Sequence, residues 1–219
     1  MKILFIFPNI NDAGYKLVGV STLSALAKKA GHETALFDTS FMDLGDITNT
    51  TKIKDLKREK GTNRKIGEKI LDFKPISDQS VFNKQKVDLK ATLISKLKSF
   101  KPDLVGVSCL STEWYLSQLI LNYTKEYDPS IFTIVGGRHC IADPEGTIEH
   151  PSVDAVCVGE GELAFMRLLE GLEKGELDYE IPGLRIKNQN GKIHQNPPKG
   201  YLLELDDLPY IDNEIYEEG

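Results

Sequence analysis

The residues best suited to contact a ligand lie in four short segments that each follow an apolar run. The candidates are Pro8, Asn9, Ser108, Leu110, Ser111, Thr112, Gly136, Gly137, Arg138, His139, Gly159, Glu160 and Gly161. Glycine lets a ligand approach the backbone closely, and hydroxyl groups and free N–H groups at helix N-termini suit phosphate or amide ligands. No segment supplies an evident nucleophile, so we expect a cofactor-binding site with no catalytic residue. For His139, ligand contact and a surface position remain equally open.

The apolar runs predict the strands of an open, doubly wound α/β sheet. The run KILFIFP (2–8), an apolar stripe of helical spacing and the run TALFD (34–38) together predict a βαβ unit. Three more strands are predicted at 104–110, 132–137 and 155–159. Glycine and serine are common in strand-to-helix turns for geometric reasons alone. Because parallel strands bring all four segments to one edge of the sheet, the four together favour a binding site. We predict a Rossmann-like domain with a five-stranded parallel sheet over residues 1–175.

Two stretches of the chain depart from this pattern. Residues 39–88 are polar and rich in lysine, which predicts an insertion with a short helix at roughly 52–72. Within residues 176–219, alternating runs around Asn190-Gly191 predict a small β-hairpin appendage. The acidic tail after the hairpin has the composition of a linker, so we expect it to lead to a further domain that the chain does not include.

Composition restricts the class of protein. With 40% apolar and 27% charged residues, the chain is typical of a soluble globular protein. Its apolar runs are too short to cross a bilayer and no signal peptide is evident, so we expect a cytoplasmic protein without membrane contact. Cys109, Cys140 and Cys157 are too widely spaced for a disulfide framework or a CxxC metal site, so reduced thiols and no bound metal ion are expected.

Two alternative functions follow from the charge pattern and from missing motifs. Residues 52–101 contain 15 of the 27 Lys and Arg residues, so a degenerate Rossmann-like scaffold could bind RNA or another anionic partner there. Acidic residues interrupt this block and no aromatic platform interleaves it, which makes nucleic-acid binding the less favoured function. Neither GxGxxG nor GxxxxGK[ST] follows the first strand. A flavodoxin-like binder of a phosphate-bearing cofactor is the second alternative.

The order of the motifs resembles the N-terminal cobalamin-binding domain of the B12-binding radical S-adenosylmethionine (SAM) enzymes. The matching segments are GVSTLSALAKKAGHETALFD, KPDLVGVS, IVGGRH, VDAVCVGEGE, the hairpin and DDLP. They cover nearly the whole chain apart from residues 39–88. Ser108-Cys109-Leu110 and Gly136-Gly137 are similar to the SxL and GG elements of the broader B12-binding family, whose loops hold the dimethylbenzimidazole tail of the cofactor.

This resemblance implies a cobalamin bound in the base-off state. The DxHxxG motif, whose histidine ligates cobalt in the broader family, is absent, because NINDAG after the first strand contains no histidine. The resemblance implies a corrinoid partner, a parent methyltransferase or related enzyme, and a radical SAM domain of the same polypeptide. The [4Fe–4S] cluster and SAM are expected only in that missing domain, because no CxxxCxxC occurs here. We also expect Gly137→Val to fill the tail groove without loss of the fold.

Overall fold

A computed structural model of the chain describes residues 1–10, 16–45, 85–199 and 205–217. Its secondary structure alternates between strands and helices, with single 3-10 turns at 111–113, 205–207 and 214–216. The elements are β1 (Lys2–Phe7), α1 (Val18–Lys29), β2 (Glu33–Asp38), β3 (Met42–Asp43), β4 (Gln85–Lys86), α2 (Leu89–Phe100), β5 (Leu104–Ser108), α3 (Trp114–Tyr127), β6 (Phe132–Gly136), α4 (Arg138–Ala142), α5 (Pro144–Glu149), β7 (Ala155–Cys157), α6 (Glu162–Lys174), β8 (Leu184–Lys187) and β9 (Ile193–Gln195).

The main sheet has the strand order β2-β1-β5-β6-β7-β8-β9. Its first five strands are parallel, which confirms the predicted doubly wound α/β class. The described sheet has seven strands and not five, because the predicted hairpin appendage continues it. Strand β8 pairs antiparallel with β7, with Leu184 opposite Cys157, and β9 pairs with β8. The division of the chain into domains at residue 175 remains a prediction.

Helices cover both faces of the sheet, and the alternation along β1 shows why. Ile3 and Phe5 point to the face that carries α1 and α6, whereas Leu4 and Ile6 point to the face that carries α2 and α3. All four side chains are buried. A strand that is buried on both faces has a continuous apolar sequence, and this feature allowed β1 to be predicted from the sequence.

The helix ends follow local chemistry. The N-terminus of α2 is capped by Asp88, whose carboxylate accepts a hydrogen bond from the Ala91 N–H at 3.0 Å. This helix ends at Lys101, which has a φ of 55° and precedes Pro102. Helix α6 ends at Gly175 with a φ of 69°. Left-handed glycine and a following proline are both common helix terminators.

The predicted insertion can be assessed only at its ends. The predicted helix at 52–72 lies outside the described residues. The flanking strands β3 and β4 pair in parallel, with Met42 opposite Gln85, so the two ends of the segment meet beside the domain. Within the described ranges, no helix combines the length and the apolar character needed to span a membrane.

The acidic tail differs from the linker that its composition predicts. Residues 205–217 pack against α1 and β2, and Ile215 is only 3% exposed. Asp212 and Tyr216 form hydrogen bonds with residues of α1 and with its N-cap residue. The contacts of Asp212, Ile215 and Tyr216 hold this short segment against the sheet and α1, although its average composition is polar and acidic.

Candidate ligand-binding site

A cavity of about 220 Å³ opens at the carboxyl edge of the parallel strands. The chain runs from β1 outward to β2 and later returns to the other side of β1 as β5, so the topological switch point lies between β1 and β5. Ligands of open α/β sheets bind in the crevice at such a point. The floor of the cavity comes from Phe5, Gly106 and Ile134, which are in register across β1, β5 and β6.

Helices α1 and α6 form the walls of the cavity. Gly19, Val20 and Leu23 line it from α1, and Glu162 and Phe165 line it from α6. Since α1 and α6 pack on the same face of the sheet, the cavity is a slot between that face and the first turns of the two helices. Its shape suits a flat group that enters from the carboxyl edge.

Four of the six glycines that line the cavity have neither a positive φ nor a close approach by another backbone. At Gly19, Gly106, Gly136 and Gly161 the backbone φ is ordinary for any residue, and an added Cβ would meet no atom closer than 3.5 Å. Gly19 and Gly106 lie inside a helix and a strand, where glycine is destabilising by about 0.5–1 kcal/mol relative to alanine, whereas Gly161 is the N-cap residue of α6, a position that glycine favours. The space that these four residues leave is therefore a cradle that side chains would fill, and it points to a ligand.

Gly137 differs from these four glycines because its own conformation and surroundings require glycine. Its φ is 96°, and an added Cβ would lie 2.7 Å from the backbone oxygen and 2.9 Å from the backbone nitrogen of Cys109. Gly137 thus allows the loops after β5 and β6 to meet, where the His139 N–H donates to the Cys109 carbonyl at 3.1 Å. The expectation that Gly137→Val fills the groove without loss of the fold is wrong, because the side chain would displace the backbone of the β5 loop.

Six of the thirteen predicted site residues line the cavity. They are Ser108, Gly136, Gly137, Gly159, Glu160 and Gly161. Seven lie outside its lining, namely Pro8, Asn9, Leu110, Ser111, Thr112, Arg138 and His139. Ligand contact at these seven positions remains a prediction.

The side chains of Asn9 and His139 shape the loops of this edge. Asn9 is buried and donates from Nδ2 to Ser40 Oγ at 2.8 Å, which ties the loop after β1 to the end of β2. His139 Nδ1 lies 3.1 Å from Ser111 Oγ, and its ring packs on Trp114 with a centroid distance of 4.7 Å. With only 6% of its surface exposed, His139 is not the surface residue that one alternative predicted. Burial lowers the pKa of His139 against the opposing effect of Asp143, which favours the neutral ring.

Glu113 is a buried carboxyl group that the sequence did not reveal. It lies in the polar run after β5 with 1% exposure, and Oε2 accepts a hydrogen bond from the Leu110 N–H at 3.1 Å. Oε1 has no hydrogen-bond partner within the described residues. Burial raises the pKa of Glu113 to about 7, although the Leu110 N–H opposes the shift. The carboxyl group therefore supports the loop that contains Leu110 and Ser111.

The cavity lining is mostly apolar, and much of it was missed in the sequence. The missed residues are Phe5, Gly19, Val20, Leu23, Gly106, Val107, Ile134, Cys157, Glu162 and Phe165. One signal was available: Gly106 interrupts the strand LVGVS, and glycine inside a strand often marks a close approach by a ligand or another backbone. Burial, then the nearby Glu162, raise the pKa of the Cys157 thiol to about 12, so it stays uncharged. Within the described residues, Glu162 Oε2 is buried and has no partner.

Part of the amino-acid sequence matches the model of a known domain family. Residues 79–169 match the family model of the B12 binding domain. This part of the chain is similar to a B12-binding domain. The resemblance to the B12-binding domain of radical SAM enzymes is confirmed.

Sequence relatives of the chain include methyltransferases. The chain is 36% identical over 124 residues to an uncharacterized methyltransferase of Pyrococcus horikoshii, a match that covers 56% of this chain and 27% of that protein. It is 32% identical over 111 residues to the cobalamin-dependent radical SAM methyltransferase TokK of Streptomyces tokunonensis, covering 50% of this chain and 16% of that protein. The chain thus spans about a quarter or less of these two relatives.

Solved structures share the fold of the B12-binding domain. The cobalamin-dependent SAM radical enzyme OxsB with aqua-cobalamin bound matches 99% of this chain and 25% of its own with a TM-score of 0.65 and 18% identity. The radical SAM methyltransferase TsrM from Kitasatospora setae, with cobalamin and a [4Fe–4S] cluster bound, matches 95% of this chain and 30% of its own with a TM-score of 0.62 and 16% identity.

Proposed function

We propose that this B12-binding domain holds the tail base of a cobalamin in the glycine-lined cavity, as the corrinoid module of a radical SAM methyltransferase or related enzyme. The observation that carries the proposal is the cradle left by Gly19, Gly106, Gly136 and Gly161 at the switch point of the sheet. The N-cap position accounts for Gly161, and no close packing accounts for Gly19, Gly106 and Gly136, whereas a bound group would account for all four.

The cavity fits a bicyclic aromatic base such as dimethylbenzimidazole. Phe5, Ile134 and Phe165 offer apolar contact to the faces of a planar ring. Ser108 contributes a hydroxyl group from the end of β5, which can donate to a ring nitrogen. A few polar groups in a largely apolar slot are typical of cofactor sites.

The surface around the cavity suits the larger part of the cofactor. Large apolar side chains are exposed after each of the five parallel strands, at Val18, Phe41, Tyr115, Ile141 and Leu163. Exposed apolar side chains mark a binding face where they form a contiguous patch. We infer that the corrin ring lies over this edge while its tail enters the slot.

In this arrangement the domain binds and orients the cofactor and performs no bond-making step itself. Bound cobalamin supplies a cobalt centre that can carry a methyl group. The chain contributes the slot for the tail, the loops after β5 and β6, and the apolar edge that excludes water. Cobalt has no imidazole ligand from the loop after β1, because residues 8–17 contain no histidine.

Titration with hydroxocobalamin tests the proposal. The purified chain is expected to retain about one corrinoid per polypeptide through gel filtration and to change the visible absorbance of the cofactor as its tail base leaves cobalt. Bovine serum albumin at the same concentration serves as the control for nonspecific retention. Loss of all corrinoid during gel filtration, with an unchanged spectrum at excess ligand, would contradict the proposal.

Base-off binding predicts a distinctive EPR spectrum for cob(II)alamin bound to the chain. Its EPR spectrum is expected to lack nitrogen superhyperfine splitting, because neither the tail base nor a histidine ligates cobalt from below. His139 is the control position, since it follows the Gly136-Gly137 pair and yet packs on Trp114. The spectrum of His139→Ala is expected to match that of the wild type. A nitrogen triplet that disappears in His139→Ala would identify His139 as the lower ligand and overturn the prediction.

A further inference from the structure

Helix α1 forms one wall of the cavity but lacks its own N-terminal cap. Leu17 occupies the N-cap position, its side chain makes no capping hydrogen bond, and the first turn contains no acidic residue. Ser, Thr, Asp and Asn are the side chains that normally satisfy the free N–H groups at a helix start. The first turn of α1 therefore depends on groups from elsewhere in the chain.

The tail segment 205–217, which we call the clasp, supplies the missing group. The Leu17 N–H donates to Tyr216 Oη at 2.7 Å, and the same hydroxyl donates to the Leu17 carbonyl at 3.2 Å. Lys16 Nζ lies 5.6 Å from the centre of the Tyr216 ring and donates to Asn213 Oδ1 at 3.2 Å. One tyrosine thus satisfies the backbone N–H of the N-cap residue and makes a second contact with its carbonyl, which also accepts the Ser21 N–H at 3.0 Å.

Asp212 provides a second attachment, one turn further along α1. Its backbone N–H donates to the Ser21 carbonyl at 3.1 Å. Its carboxylate accepts hydrogen bonds from Ser24 Oγ at 2.6 Å and from Lys28 Nζ at 2.8 Å, and its side chain is only 6% exposed. Ser24 Oγ also lies 2.7 Å from Thr34 Oγ1 of β2, so clasp, helix and sheet share one buried polar network. Hydrogen bonds to a buried charged group are stronger than those between neutral groups.

The turns that the clasp holds are the turns that line the cavity. Gly19, Val20 and Leu23 face the cavity, and they lie between Leu17 and Ser24, the residues that Tyr216 and Asp212 contact. Ile215 is buried in the same apolar core as Val20. A shift of the first turns of α1 would therefore change the width of the slot.

We propose that the clasp is a positioning element of the cobalamin site, in which Tyr216 and Asp212 hold the first turns of α1 where the cofactor tail needs them. This inference rests on the proposed function. Docking of the clasp and binding of the corrinoid then favour each other, and the coupling is reciprocal. Neither residue lines the cavity, so both act through α1.

Paired substitutions with matched controls test the clasp. Tyr216→Phe removes only the capping hydroxyl, and Tyr210→Phe makes the same change at a fully exposed residue of the same segment. Asp212→Asn removes the buried charge, and Asp207→Asn makes the same change at an exposed position. We expect the dissociation constant for hydroxocobalamin to rise about five- to tenfold in Tyr216→Phe and Asp212→Asn, the effect of losing one such hydrogen bond. The two control variants are expected to bind like the wild type.

Hydrogen exchange separates positioning from general stabilisation. Added hydroxocobalamin is expected to slow exchange of the amides of residues 17–23 in the wild type, and to slow it less in Tyr216→Phe. If Tyr216→Phe lowers the free energy of unfolding but leaves both the dissociation constant and this protection unchanged, the clasp is only structural and the inference is wrong. If the wild-type chain binds no corrinoid, the proposed function fails and the coupling fails with it.

Discussion

Gly136→Val is expected to weaken cobalamin binding by more than 100-fold while the domain remains folded. An added Cβ at this position lies 3.8 Å from Cys157 Cβ, an ordinary contact distance, and we expect the methyl groups of valine to enter the slot. Burial of an aromatic ring removes about 150–250 Å² from water, which at about 25 cal/mol per Å² corresponds to about 4–6 kcal/mol. A side chain that excludes the tail base forfeits most of that free energy.

A graded series makes the measurement specific. Gly136→Ala is expected to bind with intermediate affinity, and Ala91→Val, which adds volume at an exposed position of α2, is expected to bind like the wild type. Without ligand, Gly136→Ala should leave the free energy of unfolding unchanged or raise it by about 0.5–1 kcal/mol, since glycine weakens a strand. Affinity is measured by absorbance titration and stability by urea unfolding. Wild-type affinity in Gly136→Val would show that the ligand binds elsewhere.

Glu113→Gln is expected to stabilise the folded domain at pH 8 and to have little effect at pH 5. The pKa of Glu113 is raised from 4.5 to about 7 in the folded state, so the folded state holds the proton more tightly than the unfolded state. The contribution of Glu113 to the free energy of unfolding therefore falls as the pH rises from about 4.5 to about 7, and this loss is complete above pH 7. At 1.36 kcal/mol per pKa unit, the gain in Glu113→Gln at pH 8 is at most about 3 kcal/mol.

Urea unfolding between pH 5 and pH 8 measures this effect. Glu149→Gln is the matched control, because Glu149 is exposed and the substitution changes net charge by the same amount. The wild type and Glu149→Gln should follow parallel profiles, while the stability of Glu113→Gln relative to the wild type should rise between pH 5 and pH 8. Parallel profiles for all three proteins would show that the Glu113 carboxyl is hydrated in the folded state.

The sequence predicted the strands well because each is buried on both faces. A run such as ILFIF in β1 is too short for a buried helix and too apolar for a strand with one face in water, and the segments that follow such runs must meet at one edge. Ser108, Gly136 and Gly161 were found by this reasoning. The prediction of these site residues depended on the apolar composition of the strands and on the rule that ligands bind at the carboxyl ends of parallel strands.

The rest of the site could not be read from local sequence. Phe5, Gly106 and Ile134 form the cavity floor only because three strands distant in the chain are in register. The loops after β5 and β6 meet at Gly137, and this contact places the Ser111 hydroxyl beside His139. Local sequence does not reveal such a contact between loops. The contact of Tyr216 with Leu17 has no sequence signal at all, because one tyrosine in an acidic tail resembles any other.

The cap that Tyr216 places on α1 joins residues 199 positions apart. During synthesis at about 5–20 residues per second, α1 emerges roughly 10 to 40 s before the tyrosine that completes it. The βαβ unit at the N-terminus is thus synthesised first, yet its helix gains the hydrogen bond from Leu17 to Tyr216 only after the tyrosine has been synthesised. A nascent chain acquires the finished wall of the cofactor slot only when nearly all of the domain has left the ribosome.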